Sequence, residues 1–385
     1  MSLRERLSLL TKLEPVESPA PAAAQMDTGF ALPAFSRSYS VARPLGDLGL
    51  ICREPALADY TWEQLAFVDT ETTGLSTGSG TYVFLIGIGT FSNEVLTVRQ
   101  YFLPSPALEA AFWPEVLAEF TSRPVLVSFN GKSYDLPLIN TRLTLNGLEA
   151  LCPQLHLDLL HPARRLWRHT LESCALQALE RYKLDLTRQQ DVPGAEIPAI
   201  YFDYIANGDR GPLEIVFQHN RQDIVSLFEL AVELAAICSS PAASLERAEE
   251  YFGLAEAWLR AGDEGAAAQA IRAGLELPGG RRQKQKYQQQ LARLYARQGR
   301  FEEALQVWEE LSRAEPYSIV PLEEIAKLYE HRLKNLPLAW AATEQMLLVQ
   351  RRRQSLGVPL SQEELAALER RRQRLARRLG KENLA

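Results

Sequence analysis

Three short stretches of this 385-residue chain carry side chains whose types and spacing could do chemistry. In Asp69-Thr70-Glu71 two carboxylates stand two residues apart at the end of an apolar run, Leu65 to Asp69 (LAFVD). Read as a strand, that spacing puts both on one face, roughly 7 Å apart. Like charges so placed raise each other's pKa unless a cation lies between them. Hard divalent ions such as Mg²⁺ accept an oxygen-rich environment of this kind. Alone, the pair is weak evidence, since a solvated strand end looks the same. Asp135 follows a second apolar run, Val125 to Phe129, near a helix start, where the helix dipole also favours an acid. His219 and Asp223 are four residues apart in a helical pattern and share one face, which an ordinary structural pair also explains. Together, Asp69, Glu71, Asp135, Asp223 and His219 fit one reaction better than any of them fits alone: two-metal phosphodiester hydrolysis. There the carboxylates hold two Mg²⁺ or Mn²⁺ ions and an imidazole takes the proton of the attacking water.

The elements that would position these groups are legible as patterns. Leu65–Asp69, Tyr82–Thr90 and Val95–Phe102 read as three strands, Val125–Phe129 as a fourth and His156–Leu160 as a fifth. Leu108–Phe120, Ser173–Arg181 and Leu213–Cys238 read as helices, and Ser133 is a fair N-cap for another, with Pro137 in its first turn. Strands first in succession and then alternating with helices predict an α/β domain, a mixed sheet flanked by helices, over residues 61–240. Residues 1–60 read as a lead-in, with a short amphipathic helix (Leu3, Leu7, Leu10, Leu13) and a linker rich in Pro and Ala over 14–34.

Residues 245–350 repeat themselves. Leu254-Ala255, Leu291-Ala292 and Ile325-Ala326 open similar patterns 37 and 34 residues apart. In the middle copy Leu291, Ala292, Tyr295, Gly299, Ala304, Trp308 and Pro316 stand at the spacings of a tetratricopeptide helical hairpin. The first copy supplies Trp258, Gly262 and Ala267; the third has Tyr329 but slips by one residue before Ala339. An all-α, tetratricopeptide-like domain is expected, offering a surface to a protein partner. Residues 351–385 form a basic tail with ten Lys and Arg against four Glu, either a solvated helix or a phosphate contact.

Composition bounds the rest. Net charge is −6, so broad coating of nucleic acid is not expected and any such role needs a local site. No apolar run approaches the ~20 residues of a membrane span, and the N-terminus lacks the pattern of a signal peptide, so a cytoplasmic protein is expected. Cys52, Cys152, Cys174 and Cys238 are far apart and form no CxxC. Gly74 to Gly78 matches GxSxG, but strand-like sequence follows where that elbow needs a helix. Gly131-Lys132-Ser133 lacks the first glycine of a P-loop, and Cys152, His156, His161 and His169 match no common zinc spacing. Arg164, Arg165 and Arg168 cluster with Trp167, and Arg188 and Arg221 lie near other motif segments. These arginines are either surface charge or the lining of a channel for a single strand, with Trp167 or Tyr134 stacking on a base.

The three motifs also carry a resemblance. FVDTETTGL (67–75), SFNGKSYDLPLI (128–139) and HNRQD (219–223) resemble, in order and separation, the three motifs of the ribonuclease H-like, DEDD-type 3′–5′ exonucleases. With its C-terminal helical hairpins the chain is most similar to the YprB-like bacterial group of ribonuclease H-like proteins. The resemblance implies Asp69, Glu71, Asp135 and Asp223 as ligands of two Mg²⁺ or Mn²⁺ ions and His219 as general base. It further implies Thr72 and Leu75 beside the terminal nucleotide, Asn130 near the scissile strand, and Asp158 as a supporting acid. One departure bears on His219: three residues separate it from Asp223, where members with His in this place usually have four. The expected activity is a 3′–5′ exonuclease acting on a single-stranded 3′ end. Its rivals are a catalytically weak ribonuclease H-like scaffold that binds nucleic acid and a partner protein, and a transposase-like or junction-resolving endonuclease. Nothing in the sequence chooses DNA over RNA.

Overall fold

In the computed structural model the chain is described at residues 29–41, 45–74, 78–188, 191–357 and 362–380. The expected N-terminal amphipathic helix, most of the linker after it, and Leu75 lie outside these residues. The chain divides into two units, one ending at Glu246 and the other beginning at Arg247.

The first unit is built on a six-stranded sheet, β1 (Phe35–Ser38), β2 (Leu65–Thr72), β3 (Val83–Ser92), β4 (Val95–Phe102), β5 (Val125–Ser128) and β6 (Leu155–Asp158). The strand order is β1-β4-β3-β2-β5-β6. β1 to β4, β4 to β3 and β3 to β2 pair antiparallel; β2 to β5 and β5 to β6 pair parallel. This is the mixed sheet the pattern predicts. The lead-in contributes more than expected: β1 joins the edge of the sheet, and Leu45–Cys52 forms helix α1 with Leu48 and Ile51 buried. β1 is four residues, FSRS, with alternating half-buried and exposed positions. Such an edge strand gives a sequence pattern little apolar signal.

Helices α2 (Glu109–Ala118), α3 (Asp135–Leu145), α4 (Leu160–Trp167), α5 (Ile197–Asn207) and α6 (Leu213–Ser239) flank the sheet. Nine of the ten residues of β3 are buried, as expected for a strand covered on both faces. On one face Ala66, Val68, Phe84, Ile86, Phe112, Leu138 and Tyr201 share a core. On the other lies α6, whose Asn220, Ile224 and Phe228 follow at four-residue steps. Gly87 and Gly89 of β3 let that helix come close: a Cβ on Gly87 would stand 3.0 Å from Ile224 Cγ1 and would collide with Asn220. Phe228 then packs on Phe67 of β2 at 5.3 Å between ring centroids. Helix α3 starts at Asp135 with Tyr134 at its N-cap, not Ser133. Ser133 is used in the preceding turn, where its N–H donates to the Asn130 carbonyl.

The second unit is helical: α7 (Ala248–Ala261), α8 (Glu264–Glu276), α9 (Arg281–Arg297), α10 (Phe301–Ala314), α11 (Val320–Lys327), α12 (Leu336–Ser355) and α13 (Gln362–Arg378). Each helix from α7 to α11 packs on the next, α11 packs on α12 and α12 on α13. The alanines singled out by the repeat, Ala255, Ala267, Ala292, Ala304, Ala326 and Ala339, are all fully buried. Gly262 and Gly299 take left-handed φ of 83° and 78° as the first two hairpins turn. In the third, Lys334 takes the left-handed turn at φ 55°, one residue later than the glycine of the other copies, after a π-helical segment over Leu328–Arg332. That is the physical form of the one-residue slip. The basic C-terminal helix is held internally: Arg374 and Arg378 donate to Glu330, and Arg371 lies 3.5 Å from it. No helix among the described residues is long and apolar enough to cross a membrane.

Candidate active site

The pleat of β2 puts Phe67, Asp69 and Glu71 on the face covered by α6. Asp69 is opposite Gly87 on β3, and Gly87 is opposite Gln100 on β4. Because Gly87 has no side chain, Asn220 of α6 fills the space over it. Its Nδ2 donates to the Asp69 carboxylate at 2.8 Å and to the Asp69 carbonyl at 3.2 Å. Gln100 fixes Asn220 in turn, donating from Nε2 to Asn220 Oδ1 at 2.9 Å and to the Phe217 carbonyl at 2.8 Å. Asp69 is therefore held by a relay across three strands and a helix.

Thr70, on the opposite face of the pleat, donates its hydroxyl to Asp135 Oδ1. Asp158 sits at the end of β6 and accepts backbone N–H bonds from Asn130 at 2.7 Å, Lys132 at 3.3 Å and Leu160 at 3.1 Å. It clamps the loop between β5 and α3, in which Asn130 takes a left-handed φ of 66°. Thr72 bonds the Gly74 carbonyl at 2.8 Å and the Tyr134 hydroxyl at 2.9 Å, and Tyr134 also donates to Gly74. These bonds fix the chain at the exit of β2.

His219 turns Nε2 toward Asp223 Oδ2 at 3.5 Å and Glu71 Oε1 at 3.9 Å. Its Nδ1 lies 2.6 Å from Asp191 Oδ1 and 3.2 Å from Arg188 Nη1; with Nδ1–H donating to the Asp191 carboxylate, Nε2 is the nitrogen turned to the acids. Arg188 donates to Asp223 and to Glu180, the latter at 2.6 and 2.8 Å, and also reaches Asp191 at 3.4 Å.

Electrostatics tie the acids together. Burial pushes Asp69 well above the usual carboxylate range, and the charges of Asp223, Glu71 and Asp135 add to it against the Asn220 bond. Glu71 is raised by burial and by Asp223 and Asp135, with Arg188 opposing. Burial lifts Asp135 to about 6 against the Thr70 bond, with Asp158 adding to the rise. Asp223 is raised by burial against the pull of Arg188 and His219. At Asp191 burial also works upward, but the His219 bond and the Arg188 charge outweigh it and hold the group below its ordinary value. The structure thus brings Asp69, Glu71, Asp135, Asp223 and His219 into one neighbourhood, with Asp158 beside it. A set of hard oxygen donors in which burial and mutual repulsion disfavour the charged state is the set a divalent cation stabilises. Among the described residues no three such side chains are already set to hold one ion; Arg188 supplies the counter-charge at Asp223.

Arg221 is half-buried and lies over the Phe35 ring at 5.3 Å. One expectation fails: Trp167, on α4, is 1% exposed and has no face to offer a base. Conversely, Asn220, Gln100 and Gly87 support Asp69, Asp191 supports His219, and none of the four was singled out in the sequence. Only Asn220, inside the HNRQD string, gave a signal that could have been followed.

Residues 66–235 match the sequence model of the RNase H superfamily. Over 300 residues the chain is 35% identical to the uncharacterized protein YprB of Bacillus subtilis (strain 168), covering 75% of this chain and 70% of that one. A solved family B DNA polymerase from the hyperthermophilic archaeon Pyrobaculum calidifontis aligns with 51% of this chain and 29% of its own at 12% identity and a TM-score of 0.34, too low to carry an argument.

Proposed function

The chain belongs to the RNase H superfamily, and on that footing we propose that its first unit is a two-metal 3′–5′ exonuclease that hydrolyses phosphodiester bonds at the end of a single strand. The observation that carries the reading is the burial of Asp69, Glu71, Asp135 and Asp223 against their own repulsion. A fold has no energetic reason to gather such charges unless something positive is to join them. These acids would hold two Mg²⁺ or Mn²⁺ ions, which when bound supply charge neutralisation at the scissile phosphate and a lowered pKa for the attacking water. Each remaining part has a role in the chain itself. Asn220 keeps one Asp69 oxygen fixed, so the other is left for coordination. Thr70 does the same for Asp135. His219 Nε2 accepts the proton of the water, and Asp191 holds the Nδ1–H that steadies the resulting imidazolium. Arg188 holds Asp223, and in this reading its guanidinium would turn to the scissile phosphate. Thr72, Leu75 and Asn130 are assigned to the terminal nucleotide and the scissile strand, and Asp158 to support of the loop that carries Asn130.

In the same reading residues 61–240 form the nuclease domain, 245–350 a tetratricopeptide-like domain that takes a protein partner, and 351–385 a basic extension. Support comes from the small residues buried at the helix crossings and the left-handed glycines at the turns. The test is a degradation panel of single-stranded DNA and RNA, blocked at either end, with Mg²⁺ or Mn²⁺. Mononucleotides released from strands with a free 3′ end, and none from 3′-blocked or circular strands, is the expected result. Equal degradation by Asp223→Ala, or in EDTA, refutes the reading.

A further inference from the structure

Beside the acid cluster lies a cavity of about 410 Å³ that the reaction above does not use. It is bounded by the end of α1, the loop after β5, the end of β6 and one face of α4. His161, Arg164 and Arg165 of α4 and Arg168 at its C-cap stand at i, i+3, i+4 and i+7, so one face of that helix turns to the cavity. The opposite face, Leu160, Ala163, Leu166 and Trp167, is buried. Arg53 and Lys132 complete the lining, which makes five Lys and Arg against two acids, Glu54 and Asp158, in a chain of net charge −6. Both acids are already engaged. Asp158 accepts three backbone N–H bonds, and Glu54 lies 3.5 Å from Lys132 Nζ. Arg165 donates to the Ile51 carbonyl and Arg168 to His169. By its lining side chains the cavity carries more cations than acids in a concave site, where fields from like charges add.

Its position gives the surplus a use. Lys132 is three residues before Asp135, and the loop carrying both is clamped by Asp158, which lines the cavity. We propose that this cavity is a phosphate subsite that seats backbone phosphates of a nucleic-acid strand while another phosphate of the same strand lies at the acids. The inference rests on the nuclease reading for its substrate class. Guanidinium groups suit it because they grip phosphate with paired donors. The sequence run of arginines alone was equally consistent with ordinary surface charge; their convergence with Arg53 and Lys132 on one cavity is what separates the two.

The test is fluorescence anisotropy of a 5′-labelled 15-nucleotide single strand with the full chain in EDTA, where no cleavage confuses the reading. Arg164→Gln/Arg168→Gln should weaken binding about tenfold and lower the slope of log K against log salt by about 1.4, the contribution of two single-strand phosphate contacts. Arg164→Lys/Arg168→Lys should recover most of the affinity, and its melting curve shows whether the helix still folds. Arg99→Gln, elsewhere on the same unit, should change neither quantity. Unchanged binding and salt slope in the Gln pair overturns the proposal. So does a result in which inorganic phosphate binding is lost in the Gln pair while strand binding stays as in the wild type, since the cavity then takes free phosphate. If the panel above shows no cleavage but the Gln pair still loses the strand, the subsite stands and the nuclease reading falls.

Discussion

Asp135→Asn should make the metal-free protein more stable at pH 8 and leave it unchanged near pH 4. Asp135 is buried, and in the folded chain it titrates at about 6 against an ordinary 3.8. The native state therefore holds this proton more tightly than the unfolded chain does. The stability tied to it is present below the unfolded pKa and lost as pH rises through about 6. A rise of about two pKa units corresponds to about 3 kcal/mol of ionisation cost at pH 8. Asparagine removes that charge, and its amide oxygen still accepts the Thr70 hydroxyl. For a domain of this size the relief is worth a rise in melting temperature on the order of 5–10 °C, as an upper bound. The assay is thermal unfolding of both proteins in EDTA at pH 4, 6 and 8, followed by a repeat at pH 8 with Mn²⁺. The gap between the curves should open with pH in EDTA. Added Mn²⁺ should then raise the wild type more than the variant, because the cation neutralises the repulsion that the substitution removes. A gap equal at all three pH values, or a variant less stable at pH 8, would make Asp135 a structural acid instead.

Other outcomes follow from the same geometry. Gly87→Ala drives a methyl into Asn220 and Ile224, so it should cost about 1–3 kcal/mol of stability and reduce nuclease activity further than the stability loss explains, measured as kcat at a temperature where the variant is folded. Asn220→Ala frees Asp69 and should weaken Mn²⁺ binding about 10- to 100-fold by calorimetry; affinity equal to wild type would remove Asn220 from the site. Mn²⁺ affinity of the wild type should fall as pH drops through about 6, where the proton on Asp135 competes with the ion, and the fall should be shallower for Asp135→Asn, in which only the other raised acids compete. In the second unit, Glu330→Ala leaves Arg371, Arg374 and Arg378 without their shared acceptor. It should cost about 2–3 kcal/mol, less than a fully buried pair because Arg374 and Arg378 are half exposed, and the loss should show as faster hydrogen exchange in Gln362–Arg378.

The acids were legible because chemistry restricts them: carboxylates at strand ends and a His one turn from an Asp suggest one another's company, and the fold brings them into one neighbourhood. The strands were legible for a different reason. Runs such as YVFLIGIG are apolar on both faces, and that is the signature of the middle of a sheet. What supports the acids was not legible. Asn220 matters only because Gly87 leaves room for it, and Gly87 faces Asp69 only through a strand register that the sequence does not state. Asp191 meets His219 across 28 residues of loop and helix with no periodic signal between them. Trp167 shows the opposite error. Beside three arginines it read as a base-stacking platform, yet Leu160, Ala163 and Leu166 already gave the apolar period that turns it inward. The helical repeats were readable down to the slip in the third copy, since Lys334 stands one residue beyond the position of the missing glycine.

If Asp69, Glu71, Asp135 and Asp223 hold a pair of cations, anomalous diffraction from crystals of the full chain grown with Mn²⁺ will show it. Two anomalous peaks about 3.5–4 Å apart are expected among these four carboxylates, with Arg188 withdrawn from Asp223. Crystals that hold Mn²⁺ elsewhere while Arg188 still closes on Asp223, with no peak among the acids, would contradict that assignment.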